Sequence, residues 1–596
     1  MIILVPTYIF ALFLILAAGL AILLLLKHWE ISIKTDQPLT IYFIWGVIIL
    51  STLTATISLF ISINNWVLIG VAGIVFLILV IHHRETSQIL LSKWNRARLM
   101  PIPVIIFGLV LLLVTISVNE TLRPGDTGGY HAQAVRWLTD YGAVAGIGNI
   151  IPRVAFNNHL FVFASLFDAF WMKGQFHLLI NGLFFLFGSI FFLESAAAIY
   201  QNRKVEYKTL LGIFIVLPLL HFEPHVLNTL YVEMSVALML IFLVSIYLSE
   251  NFTQHNLILI SALTGLLLSY KASLLPVTLL LIPLLFLRSD NNYSLERPHR
   301  ILIVLTPFII VLIPFLARNI ILSGYPLYPM PLANYWPFHF EWQMTVEQVQ
   351  YQIRDIKYWA RTTGDHTNYK IWGATTFAWI LPWFKAVFHK IPFLFTGLLL
   401  SLLVLLYQLI RSVRRHELTK IQLWIWGLPI LSLVWWFIQA PNIRLGFPWI
   451  FLAIGLATVL VIDALQKHKK VGKSPLNWSL KPNQILVAFI LTCFLLLLAK
   501  GSGIFTRIIG VESHLITQIT PMPKAEVDTL AFNDGNLTVF LASKSKYGSC
   551  YYHQPPCTPE VGGNGVQYGI KKLGEDISSG FSATDFTGAF EVSREK

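Results

Sequence analysis

The run Arg123-Pro124-Gly125-Asp126-Thr127-Gly128-Gly129-Tyr130-His131 follows directly on the apolar stretch Ile102–Val118. Its glycines let the backbone take positive φ and let a ligand come close. Asp126 can act as a general base or as a metal ligand. Tyr130 adds a hydroxyl donor and His131 a titratable ring. The same residues also read as an Asx turn in which Asp126 caps a helix over Tyr130–Tyr141.

Three cations answer that acid from distant parts of the chain. Lys271, in Tyr270-Lys271-Ala272-Ser273, interrupts the long apolar run Leu257–Leu287. Arg318 closes the run Ile301–Ala317, just before the turn-rich Ser323-Gly324-Tyr325-Pro326. Arg444 ends the turn Gln439-Ala440-Pro441-Asn442-Ile443-Arg444. An acid beside fixed cations suits transfer chemistry on an anionic, lipid-carried substrate. The cations hold phosphate or diphosphate, and the acid takes the proton of an attacking hydroxyl.

Each residue has a plainer reading. Arg318 and Arg444 can snorkel to headgroups. Lys271 can cap the half-helix before it. His131 can hydrogen-bond within its own loop. Glu223 and His225 read as surface residues or as ligands of a second site, and His159 beside Asn157 and Asn158 as a polar patch. Asp126 with His131 is the pair that could hold a divalent metal, at a spacing that is not diagnostic.

The elements that must carry these residues are membrane spans. Of 596 residues, 56% are hydrophobic and 12% charged, against about 25% charged in a soluble domain. Many apolar runs reach the roughly 20 residues that cross a bilayer. The net charge of +13 then reflects Lys and Arg gathered in cytoplasmic loops, not nucleic-acid binding. Links Lys27–Gln37 and His82–Met100 carry that positive charge, so the N-terminus and the Asp126 loop lie outside. Phe156–Trp171, broken by polar residues, reads as an interfacial helix, as does Gly373–Phe388. Lys271 falls where two half-spans meet, a place where a charge lines a cavity. The expectation is an all-α bundle of about fourteen spans, with both termini outside. Residues 1–100 hold N-terminal spans that could be an addition to the core. Residues 101–500 form the core with outer loops 119–175 and 318–390, and 501–596 a small polar tail with a strand at Leu537–Leu541. In that tail Cys550 and Cys557 flank a Pro-Pro turn and are expected to pair, as thiols on the outer face do.

This layout resembles the GT-C-type, lipid-dependent membrane glycosyltransferases: a loop acid, interfacial helices after it, a broken span with a Lys and a second large outer loop. More closely, Asp126-Thr127-x-x-Tyr130-His131, Arg318-Asn319 through Ser323-Gly324-Tyr325-Pro326, Ala440-Pro441-Asn442-x-Arg444 and Cys550 to Cys557-Thr558-Pro559 resemble an uncharacterised bacterial family of large inner-membrane proteins related to that group. The resemblance implies a polyprenyl-phosphate-linked sugar as donor and an envelope glycan, lipid or protein as acceptor, met at the periplasmic side. It implies Asp126 as base, assisted by Tyr130 and His131. Lys271, Arg318 and Arg444, with Tyr325 and Asn442 beside them, are then candidates for the substrate. The loop has one acid followed by Thr127, where some relatives have two, which leaves use of a divalent metal open. Two other readings stay open: a polymerase or ligase of lipid-linked glycans, and a lipid or glycan transporter. A transporter is expected to show repeats and midplane charges, whereas here the charges gather at one face.

The orientation has a direct check. Reporter fusions at Gly128 and at the C-terminus are expected to report the outside and a fusion at Arg414 the cytoplasm; a cytoplasmic Gly128 contradicts chemistry on the outer face.

Overall fold

The computed structural model describes residues 3–28, 31, 36–119, 122, 125–201, 206–221, 224–249, 253–286, 297–330, 335–362, 377–415, 420–469, 519–532, 537–542, 545, 548–558 and 569–584. It is mostly helical, with two small sheets near the C-terminus. Among these residues seven helices are long and apolar enough to cross a membrane, or eight if Asn65–Ile81 and His83–Leu99, bent by 93°, form one span. Shorter apolar helices account for part of the difference from about fourteen expected spans. The run from Thr209 breaks at Ile215 into Tyr207–Phe214 and Val216–His221. The apolar run Ile485–Ala499, at the end of the expected core, lies outside the described residues, as do Glu223 and the side chain of His225.

Helices Leu4–His28 and Leu39–Ile57 cross with their backbones in contact. A Cβ on Gly19 would stand 1.8 Å from the Tyr42 carbonyl oxygen, and one on Gly46 1.9 Å from that of Ile15. Small residues let helices approach in this way where there is no water to drive them together. Glu194 binds the start of the second helix, accepting from Leu39 N (2.6 Å) and Thr40 Oγ1 (2.7 Å). That helix packs on His159–Leu166, Ile180–Gln201, Gln254–Tyr270 and Arg297–Ser323, so the N-terminal pair is built into the core. Phe176–Tyr200 is the centre of the bundle, with 94% of its apolar window buried; Pro298–Ser323 and Pro392–Arg414, at 22%, form an apolar outer flank.

The stretch Phe156–Trp171 corrects the interfacial reading. Its helix, His159–Leu166, is buried at every residue. Three of the polar residues that break the apolar run, Asn157, Asn158 and Asp168, bond within the protein. Asn157 donates to the Phe315 carbonyl (2.9 Å). Asn158 caps the helix by accepting from Leu160 N (2.8 Å). Asp168 accepts from Gly174 N (2.5 Å) and from the Tyr552 hydroxyl. Within Gly373–Phe388, whose first residues lie outside the described ones, a helix spans Ile380–Lys390 with Leu381, Phe384 and Phe388 exposed along it.

Leu257–Leu287 breaks where expected. Helix Gln254–Tyr270 ends at Lys271, whose backbone is extended, and a 3-10 run, Ala272–Leu280, follows. In the tail, Asp528–Phe532 pairs antiparallel with Leu537–Leu541, which pairs in parallel with Cys557–Thr558. Gly569–Lys572 and Phe581–Thr584 form a second antiparallel pair. The tail is seated on the first loop. Phe581 N donates to the Ala145 carbonyl (2.9 Å), and Gly146, at φ +65°, leaves room for the Phe581 carbonyl, which a Cβ would meet at 2.0 Å. A residue with that φ and no space for a side chain has to be glycine.

Candidate functional site

Asp126, Arg444, Glu233 and Lys271 form one chain of charges. Arg444 Nη2 lies 2.6 Å from Asp126 Oδ2, Arg444 Nε 3.4 Å from Glu233 Oε1, and Lys271 Nζ 2.9 Å from that same oxygen. Lys271 and Glu233 are nearly buried, at 13% and 6% side-chain exposure. Two carboxylates balance two cations, as burial of charge requires. Lys271 therefore does not cap its helix, and Arg444 does not snorkel away from it.

Local structure explains why these groups meet. Asp126 enters a wide helical turn, Thr127–His131, and makes no side-chain capping bond, which removes the Asx-cap reading and frees its carboxylate for Arg444. Thr127 Oγ1 accepts from Leu230 N (3.1 Å), tying the turn to the start of the helix Val232–Tyr247. Asn181 gathers that same stretch, donating to the carbonyls of Val226, Thr229 and Tyr231. Glu233 lies in the first turn of the helix so fixed. Asn442 Oδ1 accepts from Arg444 N (3.0 Å), so Asn442 sets the start of the helix that carries Arg444. Trp383 Nε1 donates to the Pro441 carbonyl (2.6 Å) and secures the same turn. The Arg444 guanidinium lies over the rings of Tyr231 (4.7 Å) and Trp359 (5.5 Å).

Burial is the largest single influence on the Asp126 carboxyl and pushes it up, but Arg444 and the other cationic groups around it together outweigh burial and bring the group down to about 2. Burial takes the His131 ring down to about 4. The ring is therefore neutral near pH 7. His131 packs against Phe161 (4.5 Å) and Tyr130 (4.4 Å). Its Nδ1 lies 3.3 Å from the Thr127 hydroxyl, whose proton it can accept because that oxygen already accepts from Leu230. Burial raises the Tyr130 hydroxyl well above its ordinary range, so it stays a donor, with Arg153 over its ring at 5.8 Å.

Arg318 is brought elsewhere. It is buried, donating from Nε to Asn157 Oδ1 (2.9 Å) and from Nη1 to Ser58 Oγ (2.6 Å). This corrects its expected place in the cation group: its helix packs on Leu39–Ile57 and on Val154–Phe156, and the side chain follows that packing. His159, expected in a polar patch, is fully buried against Phe315 (5.3 Å). Tyr325 is buried too, its hydroxyl donating to the Met344 carbonyl (2.9 Å). Cys550 and Cys557 are joined, as expected.

Glu233 is the site residue that sequence reasoning passed over. Its signal was an acid at the head of the apolar run Val232–Tyr247, where an ionisable side chain marks a pathway or a partner. A divalent metal does not fit here. Asp126 and Glu233 each face a cation already, and among the described residues no group of three or more His, Cys, Asp or Glu is arranged to hold an ion.

The chain belongs to the family described as "Domain of unknown function (DUF8201)", which its residues 1–451 match. No curated protein and no solved structure matches it.

The charge balance is testable. Glu233→Gln leaves Lys271 buried without a counter-charge and is expected to cost about 3–5 kcal/mol of stability. Glu233→Leu with Lys271→Met is expected to recover most of that loss. Thermal unfolding in detergent micelles, followed by tryptophan fluorescence, reads both; equal losses in the single and double variants would deny the pairing.

Proposed function

We propose that this member of the DUF8201 family is a membrane glycosyltransferase. It moves a sugar from a polyprenyl-phosphate donor to an acceptor hydroxyl of the cell envelope, on the periplasmic side of a bacterial inner membrane. In this reading about fourteen spans leave both termini outside. The observation that carries the proposal is the meeting of Asp126, Arg444, Glu233 and Lys271, drawn from four separate stretches of the chain. The aromatic faces of Tyr231 and Trp359 over Arg444 support it. So does the buried Nε of Arg444, which faces Glu233 at 3.4 Å without completing a hydrogen bond and so holds that partner loosely enough to exchange it.

The charge balance gives the mechanism its order. While Arg444 holds Asp126, the carboxylate is a weak base. A donor phosphate arriving on Arg444 and Lys271 draws the guanidinium toward itself. Asp126 then loses its counter-charge, and its basicity climbs toward the ordinary carboxylate range. The acceptor hydroxyl gives its proton to Asp126 as its oxygen bonds to the anomeric carbon. The bond from that carbon to the phosphate oxygen breaks, and its electron pair leaves with the polyprenyl phosphate. Arg444 and Lys271 stabilise the charge that develops there. Glu233 keeps Lys271 aimed at the site throughout. A polymerase or ligase of lipid-linked glycans would use the same groups on a diphosphate.

The test is a set of labelled polyprenyl-phosphate sugars offered to purified protein in liposomes. The protein is expected to release polyprenyl phosphate, and Asp126→Asn to slow release by at least about a hundredfold. Movement of lipid between leaflets without release, at the same rate in Asp126→Asn, would replace the transferase reading with transport.

A further inference from the structure

The loop closed by the Cys550–Cys557 bond is pressed against the turn that carries Asp126. Tyr551 N donates to the Gly128 carbonyl at 2.6 Å. One face of the helix Ala132–Asp140 then reads the loop in order. Gln133 Nε2 donates to the carbonyls of Tyr551 (3.2 Å) and His553 (2.9 Å). Arg136, one turn on, donates to the Tyr552 carbonyl and lies over the Tyr552 ring at 4.9 Å. Thr139 Oγ1, the next along that face, is 3.4 Å from the Tyr552 hydroxyl, which itself donates to Asp168.

Most of these bonds are to loop backbone. They recognise the path of the chain between the two cysteines more than the side chains on it, and that path is what the disulfide closes. Tyr551 is held at φ +45°, a conformation that a tyrosine adopts only where its surroundings impose it. Its ring fills the space beside Gly128, where a Cβ would come within 2.7 Å of Tyr551 Cε1. On its other side the Asp126 turn is held by Leu230 N on Thr127 and by Arg444 on Asp126.

We propose that this disulfide-closed loop is a positioning clamp: with Cys550 and Cys557 joined, Tyr551 and Tyr552 hold residues 127–136 so that Asp126 faces Arg444. The tail thereby belongs to the site although it brings no group to the charge chain. Tyr551 and Tyr552 are positioning residues, and the inference does not require the transferase reading.

Hydrogen–deuterium exchange of the full chain in detergent tests it. The Cys550→Ser/Cys557→Ser variant is expected to exchange at least about tenfold faster over residues 127–136. Exchange over 180–201 and the melting temperature of the bundle should be unchanged. Gly128→Ala, which leaves the disulfide intact, should produce the same local change by driving the Tyr551 ring outward. Tyr551→Ala, which removes the ring and leaves the disulfide intact, should likewise speed exchange over 127–136 while exchange over 180–201 stays unchanged, a confined change that general destabilisation would not give. Faster exchange confined to 537–558, with 127–136 unaltered in both the double-serine and Gly128→Ala variants, would overturn the clamp. Because no turnover is measured, a failed clamp and a failed transferase remain separate results.

Discussion

Two oppositely charged side chains 318 positions apart in sequence, Asp126 and Arg444, close to 2.6 Å in a half-buried setting, and the arrangement around them follows from that contact. Taking a carboxylate and a guanidinium out of water is costly unless their geometry is good and their remaining groups are satisfied. The elements that deliver them are fixed accordingly. Thr127 anchors one side of the pair to Leu230, Asn442 begins the helix on the other, and Trp383 holds the turn that leads into that helix. Glu233 and Lys271 extend the pair into a neutral set of four. The network links the first loop, the broken span and the last described helix, regions that share little other reason to meet.

A neutral set is not a ready anion site, and this shapes what the geometry can do. A ring of free cations would draw phosphate but would be expensive to keep buried. Cations already paired cost less at rest and must exchange partners when an anion arrives. The exchange is local: Arg444 lies between two aromatic faces and needs to shift its hydrogen bonds, not its backbone. The same shift would turn Asp126 from a poor base into a competent one. In the proposed transferase reading, stability at rest and chemistry on binding would use the same four side chains.

Much of this was legible in the residues. The glycine-rich run singled out Asp126, and a lysine inside an apolar run marked the break at Lys271. The two cysteines around Pro555-Pro556 announced their bond, and Leu537–Leu541 its strand. What escaped was decided by partners far away in sequence. Asn157 and Asp168 look like the polar residues of a surface helix until the carbonyl of Phe315 and the hydroxyl of Tyr552 are brought to them. Arg318 and Arg444 have the same local signature, a cation where a span meets a turn. Only helix packing sends one to Asn157 and the other to Asp126. Glu233 was hidden by the apolar residues after it, and its role depends on Lys271, 38 positions on.

The most direct check on the central contact is a double-mutant cycle between Asp126 and Arg444, with Asp126→Asn, Arg444→Gln and both together compared by equilibrium unfolding. Residues in contact couple by about 0.5–3 kcal/mol, whereas distant ones add to within a few tenths. A half-buried ion pair held at 2.6 Å predicts coupling within that range. Additive losses would mean that the two groups do not meet, and the site built on their meeting would fall with them.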